Sequence, residues 1–530
     1  MKVIPPITLS NTEGSFTRST TATYIASNGT MQTAAVNTPR ITYDPVTLIC
    51  QGVLYEPART NLIPDTGTLG IMAGQTITIV TGVPYTFSFY GTGQVELYNG
   101  LLDTFITGTG AFPTYRTVFT FTSSATDATF GFTVMSGTIT NAQLEQSANA
   151  TSFIPSTLGT RAADTFTGSA PCLVYSNVTA PSRYSFTNTS GSVDWAYANA
   201  YTAGTKVYRE TTNCVYQCIK DIVDSTPNSR ILPEASVLLD IPYWVRLDAL
   251  PWVSGTNYTY SATTPLQVTY SNRTYEIIAN TTVNTTLPTS TSPTYWFDVG
   301  PSNRWGVFDY LRNSTSNIKD QMVISVLAGT RVDSLVLVGM EDIKNAFISV
   351  YSPSLGTTTY NSFRSLTTKA SSTWYDYFFT AGTTTKSAVF SNLLPISDAI
   401  ISIVINGANI ACGGIILGKA QEIGTIQRGA TSEIINFSTV TRDIFGNATM
   451  VQRRNIPKTN QTLYLDKSYV NAVRKVRDQL NATPAAWIGL EDLPDQYYFE
   501  SLLIVGFYRT FTINIDNPIG VIINLELEEI

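Results

Sequence analysis

Residues Gly52 to Asp65 read GVLYEPARTNLIPD, a charged turn that carries a proline and lies between apolar runs. Pro57 fixes its own φ, Glu56 and Arg59 are placed to pair across the turn, and Asn61 has the short amide that bonds its own backbone. These are properties of a structural turn in a β protein, and the composition around it agrees. Hydrophobic residues make up 43% of the chain and charged residues 13%, with 29 Tyr and 24 Phe. The polar surface must therefore come mostly from Thr, Ser and Asn, which suits strands with a hydroxylated outer face and Asx-type turns between them. At 530 residues the chain exceeds a single core, because cores stop growing near roughly 250 to 300 residues; three to five domains are expected.

Charge and cysteine usage narrow the function classes. The net charge is −6, from 32 basic and 38 acidic residues, and no run of Lys or Arg tracks a phosphate backbone, so nucleic acid is not an expected partner. Five cysteines, Cys50, Cys172, Cys214, Cys218 and Cys412, are an odd and scattered set, read as reduced thiols of a protein made in a cytoplasm. On one strand, Cys214 and Cys218 would share a face about 13 Å apart, too far for a disulfide. The sequence has no histidine. This removes Ser-His-Asp and Cys-His catalysis and disfavours a zinc site, so neither a metal nor a cofactor is expected. The N-terminal MKVIPPITLS lacks the form of a signal peptide. Leu393 to Gly418 is apolar enough to suggest a membrane span, but Pro395, Asp398, Asn406, Asn409 and glycines interrupt it, so buried strands are expected and membrane insertion is not.

Several phrases, in order, resemble a motif of bacteriophage virion proteins: SFTRSTTATY (Ser15 to Tyr24), AAVNTPRITY (Ala34 to Tyr43) followed by Asp44-Pro45, and EPARTNL (Glu56 to Leu62). The closing phrase ITNAQLEQSANATSFIPS (Ile139 to Ser156), followed by RAAD (Arg161 to Asp164), is similar to the end of the jelly-roll modules of phage tail and capsid-surface proteins, whose fold is like that of carbohydrate-binding lectin-like domains. The resemblance implies a virion component built on jelly rolls.

Along the chain, a mainly β architecture is expected: tandem jelly-roll β-sandwiches joined by two small β modules, with a C-terminal α+β domain. Residues 1–165 form the first sandwich, with alternating strands at Tyr85 to Tyr90, Val118 to Phe121 and Phe130 to Val134. Residues 166–248 and 249–300 hold an internal repeat in which Trp195, Tyr216 and Trp244 answer to Trp252, Tyr275 and Trp296 at offsets of 57, 59 and 52. The first copy resembles the small chitin-binding-type modules of bacterial chitinases; the second lacks the glycine before its central strand. Trp195 and Trp244 are expected in the core, while Tyr197, Tyr201 and Tyr258 are the expected surface residues for stacking on a glycan.

Residues 301–440 form a second sandwich, with strands at Met322 to Leu327, Ser334 to Val338, Phe347 to Tyr351, Tyr375 to Phe379, Ala399 to Ile405 and Ile415 to Leu417. Its ending parallels that of the first, so the two are expected to share a fold. Asn303 and Arg304 are candidates for an interdomain hinge or an interface. In residues 441–530 a helix capped by Ser468 places Val470, Val473, Val476 and Leu480 on one face. The apolar strand Val521 to Leu527 is either an assembly edge or internal to its own sheet.

The function expected from these readings is a structural protein of the virion, in the tail or a tail appendage, that is not an enzyme. Its expected partners are other virion proteins, further copies of itself and a host surface polysaccharide. Glu56, Arg59 and Asn61, with Asn303 and Arg304, are the expected assembly or interface residues. Two alternatives remain: a sheath, collar or adaptor that binds only virion proteins, and a glycan depolymerase using paired carboxylates. For the latter, the densest acidic cluster is Glu491, Asp492, Asp495 and Glu500.

Overall fold

The computed structural model is mainly β, with many short sheets and one α-helix of ten residues among the described residues. It describes the chain apart from residues 11, 65, 100–101, 124–127, 156–158, 179–191, 197–198, 210–213, 219–220, 223–243, 247–249, 259, 261–266, 282–286, 290–294, 312–313, 369–373, 375–382, 443–444, 446, 452, 454, 491–498 and 516–518. The strand expected at Tyr375 to Phe379 lies outside the described residues.

The first sandwich has a four-stranded sheet in the order Leu102–Thr107, Gln94–Asn99, Thr129–Ser136, Gly74–Thr78, and a three-stranded sheet in the order Thr117–Thr122, Pro84–Gly91, Ile139–Glu145. Strand alternation sends Phe87 and Phe89 inward from one sheet and Phe130 and Phe132 from the other. All four are buried, and the Phe87 and Phe132 rings meet at 5.1 Å.

The second sandwich repeats this winding strand for strand. Ser316–Leu327, Ile400–Cys412, Glu341–Ser352 and Thr357–Ser365 form one sheet, with Cys172–Ser176 added at its edge. Ala388–Ser391, Ser334–Val338 and Gly414–Gly418 form the other. The apolar window that suggested a membrane span supplies Ile400–Cys412 to one sheet and Gly414–Gly418 to the other, and both line the core. Among the described residues no helix is long and apolar enough to cross a membrane. Cys50, Cys172, Cys218 and Cys412 are buried free thiols.

Between Cys172–Ser176 and Ser316–Leu327 the chain makes two small sheets of identical plan. Ser192–Asp194 pairs parallel to Lys206–Arg209, followed antiparallel by Cys214–Cys218 and Trp244–Arg246. Leu250–Pro251, Gln267–Tyr270, Arg273–Ile277 and Trp296–Pro301 repeat that order. The modules are therefore inserted into the second sandwich, whose first strand precedes them.

Sheet pairing also crosses the boundary expected at the C-terminus. The eight-stranded C-terminal sheet takes in Lys2–Ile4 from the other end of the chain, paired with Ala485–Ile488 and Gln421–Glu422. Of the two readings left open for the last strand, the internal one holds: Gly520–Glu529 lies between Leu503–Asn514 and Asn455–Asp466 and offers no edge. Its neighbour Leu503–Asn514 is one long strand with a register shift between Tyr508 and Thr510. Helix Val470–Gln479 covers one face of the sheet through Val473, Val476 and Leu480. Its cap differs from the expected one: a 3-10 turn, Lys467–Tyr469, precedes it, and the Asp466 carboxylate accepts from the Ser468 backbone N–H at 2.9 Å and from the Ser468 hydroxyl at 2.6 Å. Asp466 sits two residues earlier and, as a carboxylate, is the stronger acceptor.

Candidate functional site

The turn that opens the sequence folds inward. Glu56 is buried and does not pair with Arg59; its Oε2 lies 2.8 Å from Arg40 Nη1 and 3.0 Å from Arg161 Nη1. Ser152 donates to Glu56 from its backbone N–H and its hydroxyl. Asp164 completes the cluster, 2.7 Å from Arg40 Nη2 and 3.2 Å from Arg18 Nη1, and accepts the Glu56 backbone N–H at 2.9 Å. The three guanidiniums also donate to backbone carbonyls of Thr20, Ala35, Thr23 and Pro57. A buried charge is tolerated when it is paired, and each of the five ions here is, although Arg40 Nε and Arg161 Nε have no hydrogen-bond partner among the described residues. Burial alone would raise the Glu56 carboxyl, but Arg161 and Arg40, with the Ser152 hydrogen bonds, outweigh it and hold the group down at about 2.

Asn61, also buried, accepts from the backbone N–H of Ile63 two residues on, as expected of its residue type, and from that of Leu144; it donates to Ile154 O at 2.9 Å. Arg59 points elsewhere, donating to Ala58 O at 3.0 Å and to Ser147 Oγ at 3.4 Å. Glu56 and Asn61 are thus internal ties of the first sandwich, not surface interface residues.

Asn303 and Arg304 fasten the place where the inserted modules rejoin the second sandwich. Asn303 is fully buried, accepting the Asn317 backbone N–H at 2.8 Å and donating to Asn317 O at 3.0 Å. Arg304 grips the outgoing chain at Val178 O (2.7 Å) and Ser176 O (3.1 Å) and binds both carboxylate oxygens of Glu13. Both therefore serve as hinge ties, Asn303 fully buried and Arg304 partly exposed.

Two of the three tyrosines expected to stack on a glycan are not on the surface. Tyr201 and Tyr258 are buried at equivalent places in the two repeats; each packs edge-on against the repeat's last tryptophan, Trp244 or Trp296, at 5.1 Å. Their hydroxyls donate inward to Ala196 O and Val253 O. A module of about fifty residues has too little apolar area to spare such rings. Tyr197 lies outside the described residues, as do Glu491, Asp492 and Asp495; Glu500 accepts the backbone N–H groups of Lys386 and Ser387 and so serves as a structural acceptor.

A different set of residues lines an open cleft of about 660 Å³ where the hairpin Ile41–Tyr43/Cys50–Val53 lies against the five-stranded sheet of the second sandwich. The hairpin docks there because Cys50, Val53 and Tyr55 pack on Val323, Tyr351, Ile400 and Val404. Gly52 is needed at the contact: with φ near 90°, a Cβ there would lie 2.5 Å from Ser402 Oγ. Beside the contact runs a directed relay. The Tyr43 hydroxyl donates to Gln321 Oε1 at 2.7 Å, Gln321 Nε2 to Asn406 Oδ1 at 3.1 Å, and Asn406 Nδ2 to Asn345 Oδ1 at 2.7 Å. Burial, with the Cys50 thiol adding to it, pushes the Tyr43 phenol up to about 12, so it remains a donor at any physiological pH. Sequence reasoning missed this group. A signal was available at Asn406, an amide directly after the mostly apolar run Ile400 to Ile405, where Asn is depleted; Gln321 and Asn345 follow the charged residues Lys319-Asp320 and Lys344 and do not stand out.

No protein-family model and no curated protein matches the chain. Among solved structures it is similar to the GH78 family rhamnosidase of Bacillus sp. GL1, at 10% identity over 81% of this chain and 36% of that one, with a TM-score of 0.19. It is also similar to the M60 catalytic domain with the CBM51-1 and CBM51-2 domains from Clostridium perfringens ZmpB (8% identity, 67% and 34% of the two chains, TM-score 0.15). A third is the arabinofuranosyltransferase AftD from Mycobacteria (8% identity, 74% and 28%, TM-score 0.17). The chain spans about a third of the length of these structures. Likeness at this level supports neither a shared fold nor a shared activity.

Proposed function

We propose that the chain is a structural component of a bacteriophage virion, part of the tail or a tail appendage, assembled in the host cytoplasm with other virion proteins and further copies of itself, and holding host surface glycan. One observation supports this reading above the others. The five phrases that carry the resemblance, scattered between Ser15 and Asp164, all supply groups to the buried ties around Glu56, Asp164 and Asn61. A chance likeness of composition has no reason to converge in space; phrases that hold one another's buried charges form one device. The same region docks the two sandwiches, which suits a part that bears load more than one that turns over substrate.

Quantitative mass spectrometry of gradient-purified phage particles tests the reading: the chain should be present at a fixed ratio to the major capsid protein. Its absence from particles, with the protein found only in the lysate supernatant, would overturn the proposal. Release of reducing ends from host polysaccharide by the purified protein would instead favour the depolymerase.

A further inference from the structure

The cleft beside the hairpin has features that docking the two sandwiches does not require. Its amides are oriented by the relay, so Gln321 and Asn406 each hold one N–H in the chain and keep a second, and the series ends on the Asn345 amide nitrogen at one side and the Tyr43 phenol oxygen at the other. Donors and acceptors thus alternate at fixed positions along one wall. The two charged lining residues, Lys319 and Asp320, are adjacent and opposite in sign, so the wall carries no net formal charge. Asp320 sits at a positive φ of 61°, at the bulge between Lys319 and Gln321, the kind of irregularity that re-aims a strand side chain.

The facing rim carries Leu48, whose φ is 57° and which is 47% exposed. A leucine in the left-handed region is strained, and burial does not repay an exposed one; Asn or Gly would close the same turn without cost. The neighbouring turn leaves room for it, since a Cβ on Gly29 would lie 2.9 Å from Leu48 Cδ2. The cleft therefore pairs a preorganised neutral hydrogen-bonding wall with an exposed apolar rim, at a volume inside the range of about 300 to 1,000 Å³ usual for small-ligand sites. Hydroxyl groups both donate and accept, and a pyranose ring adds an apolar C–H face, so sugars match both sides.

We propose that this cleft binds a neutral oligosaccharide, with sugar hydroxyls on the Gln321–Asn406–Asn345 relay and one ring face against Leu48. The proposal deepens the virion reading by naming what the particle would hold, and rests on it for where such a sugar comes from.

Isothermal titration of the full chain with neutral gluco-, galacto- and manno-hexasaccharides, and with hexagalacturonate as an acidic control, tests it. At least one neutral hexasaccharide should bind, with hexagalacturonate weaker. Asn345→Asp keeps the acceptor for Asn406 and loses the terminal donor; it should weaken binding about tenfold, as should Leu48→Asn, with thermal melting of both variants showing the fold retained. Binding by no neutral hexasaccharide, preference for hexagalacturonate, or wild-type affinity in both folded variants would overturn the proposal. Particle incorporation of Asn345→Asp, read separately, should equal wild type, so a failed titration leaves the virion reading to its own test.

Discussion

Glu56 shows how much one residue does in this fold and how little of that its neighbours reveal. Glu56→Gln removes a carboxylate shared by Arg40 and Arg161, taking away the ion pair of Arg161 and leaving Arg40 with Asp164 alone. Breaking a buried ion set in this way costs about 3–5 kcal/mol, and urea unfolding followed by circular dichroism should register it in the first sandwich. The same group sets an acid limit. Its folded pKa of about 2 is depressed below the unfolded value, so the stabilisation is fully present above about pH 4.5 and is lost as pH falls toward 2. That contribution is roughly 3 kcal/mol, and the Glu56→Gln variant should lack this part of the acid sensitivity. The sequence shows Pro57 and Asn61 as turn residues because their roles are local. It does not show the partner of Glu56, because Asp164, which accepts its backbone N–H, lies 108 residues further on.

The strands and the helix were the most legible elements, since alternation and a 3.6-residue stripe are written into neighbouring positions. Ser334–Val338 matches its expected bounds, and Val473, Val476 and Leu480 face the core as their spacing implies. Pairing was less legible. The burial of Gly520–Glu529 between two strands depends on Asn455–Asp466, which is contiguous with it only in space. The hairpin Ile41–Tyr43/Cys50–Val53 makes the corresponding prediction at this scale. Gly52→Ala adds a methyl at a positive φ and drives it toward Ser402 Oγ and Val404 Cγ2, at 2.5 and 3.0 Å, so it should cost about 1–3 kcal/mol. Ser402→Ala on the same background should recover part of that loss in the same unfolding assay; recovery of none would mean that the close approach is not what constrains the site.

For the whole molecule, the repeat of Trp195, Tyr216 and Trp244 was readable because duplication preserves order, and two sheets of one plan resulted. Their insertion inside the second sandwich was not readable, since nothing in Cys172–Ser176 announces that its partner is Ser316–Leu327. The candidate glycan residues failed for a related reason: Tyr201 and Tyr258 look alike whether they face inward or outward, and domain size decided it. Arg304 holds Val178 O at 2.7 Å, so the modules leave and return at adjacent points. Replacing residues 180–301 by a short Gly-Ser linker should therefore leave a soluble chain that unfolds cooperatively, as judged by circular dichroism and calorimetry. An aggregated product would mean that the modules help to fold their host.

As a fixed element of a phage particle, the role proposed for it, the chain should occupy one place on that particle. Gold labelling of a C-terminally tagged chain in intact particles, viewed by electron microscopy, should place the label on the tail or its appendages. Particles that are complete and infectious yet carry no label there would contradict the account.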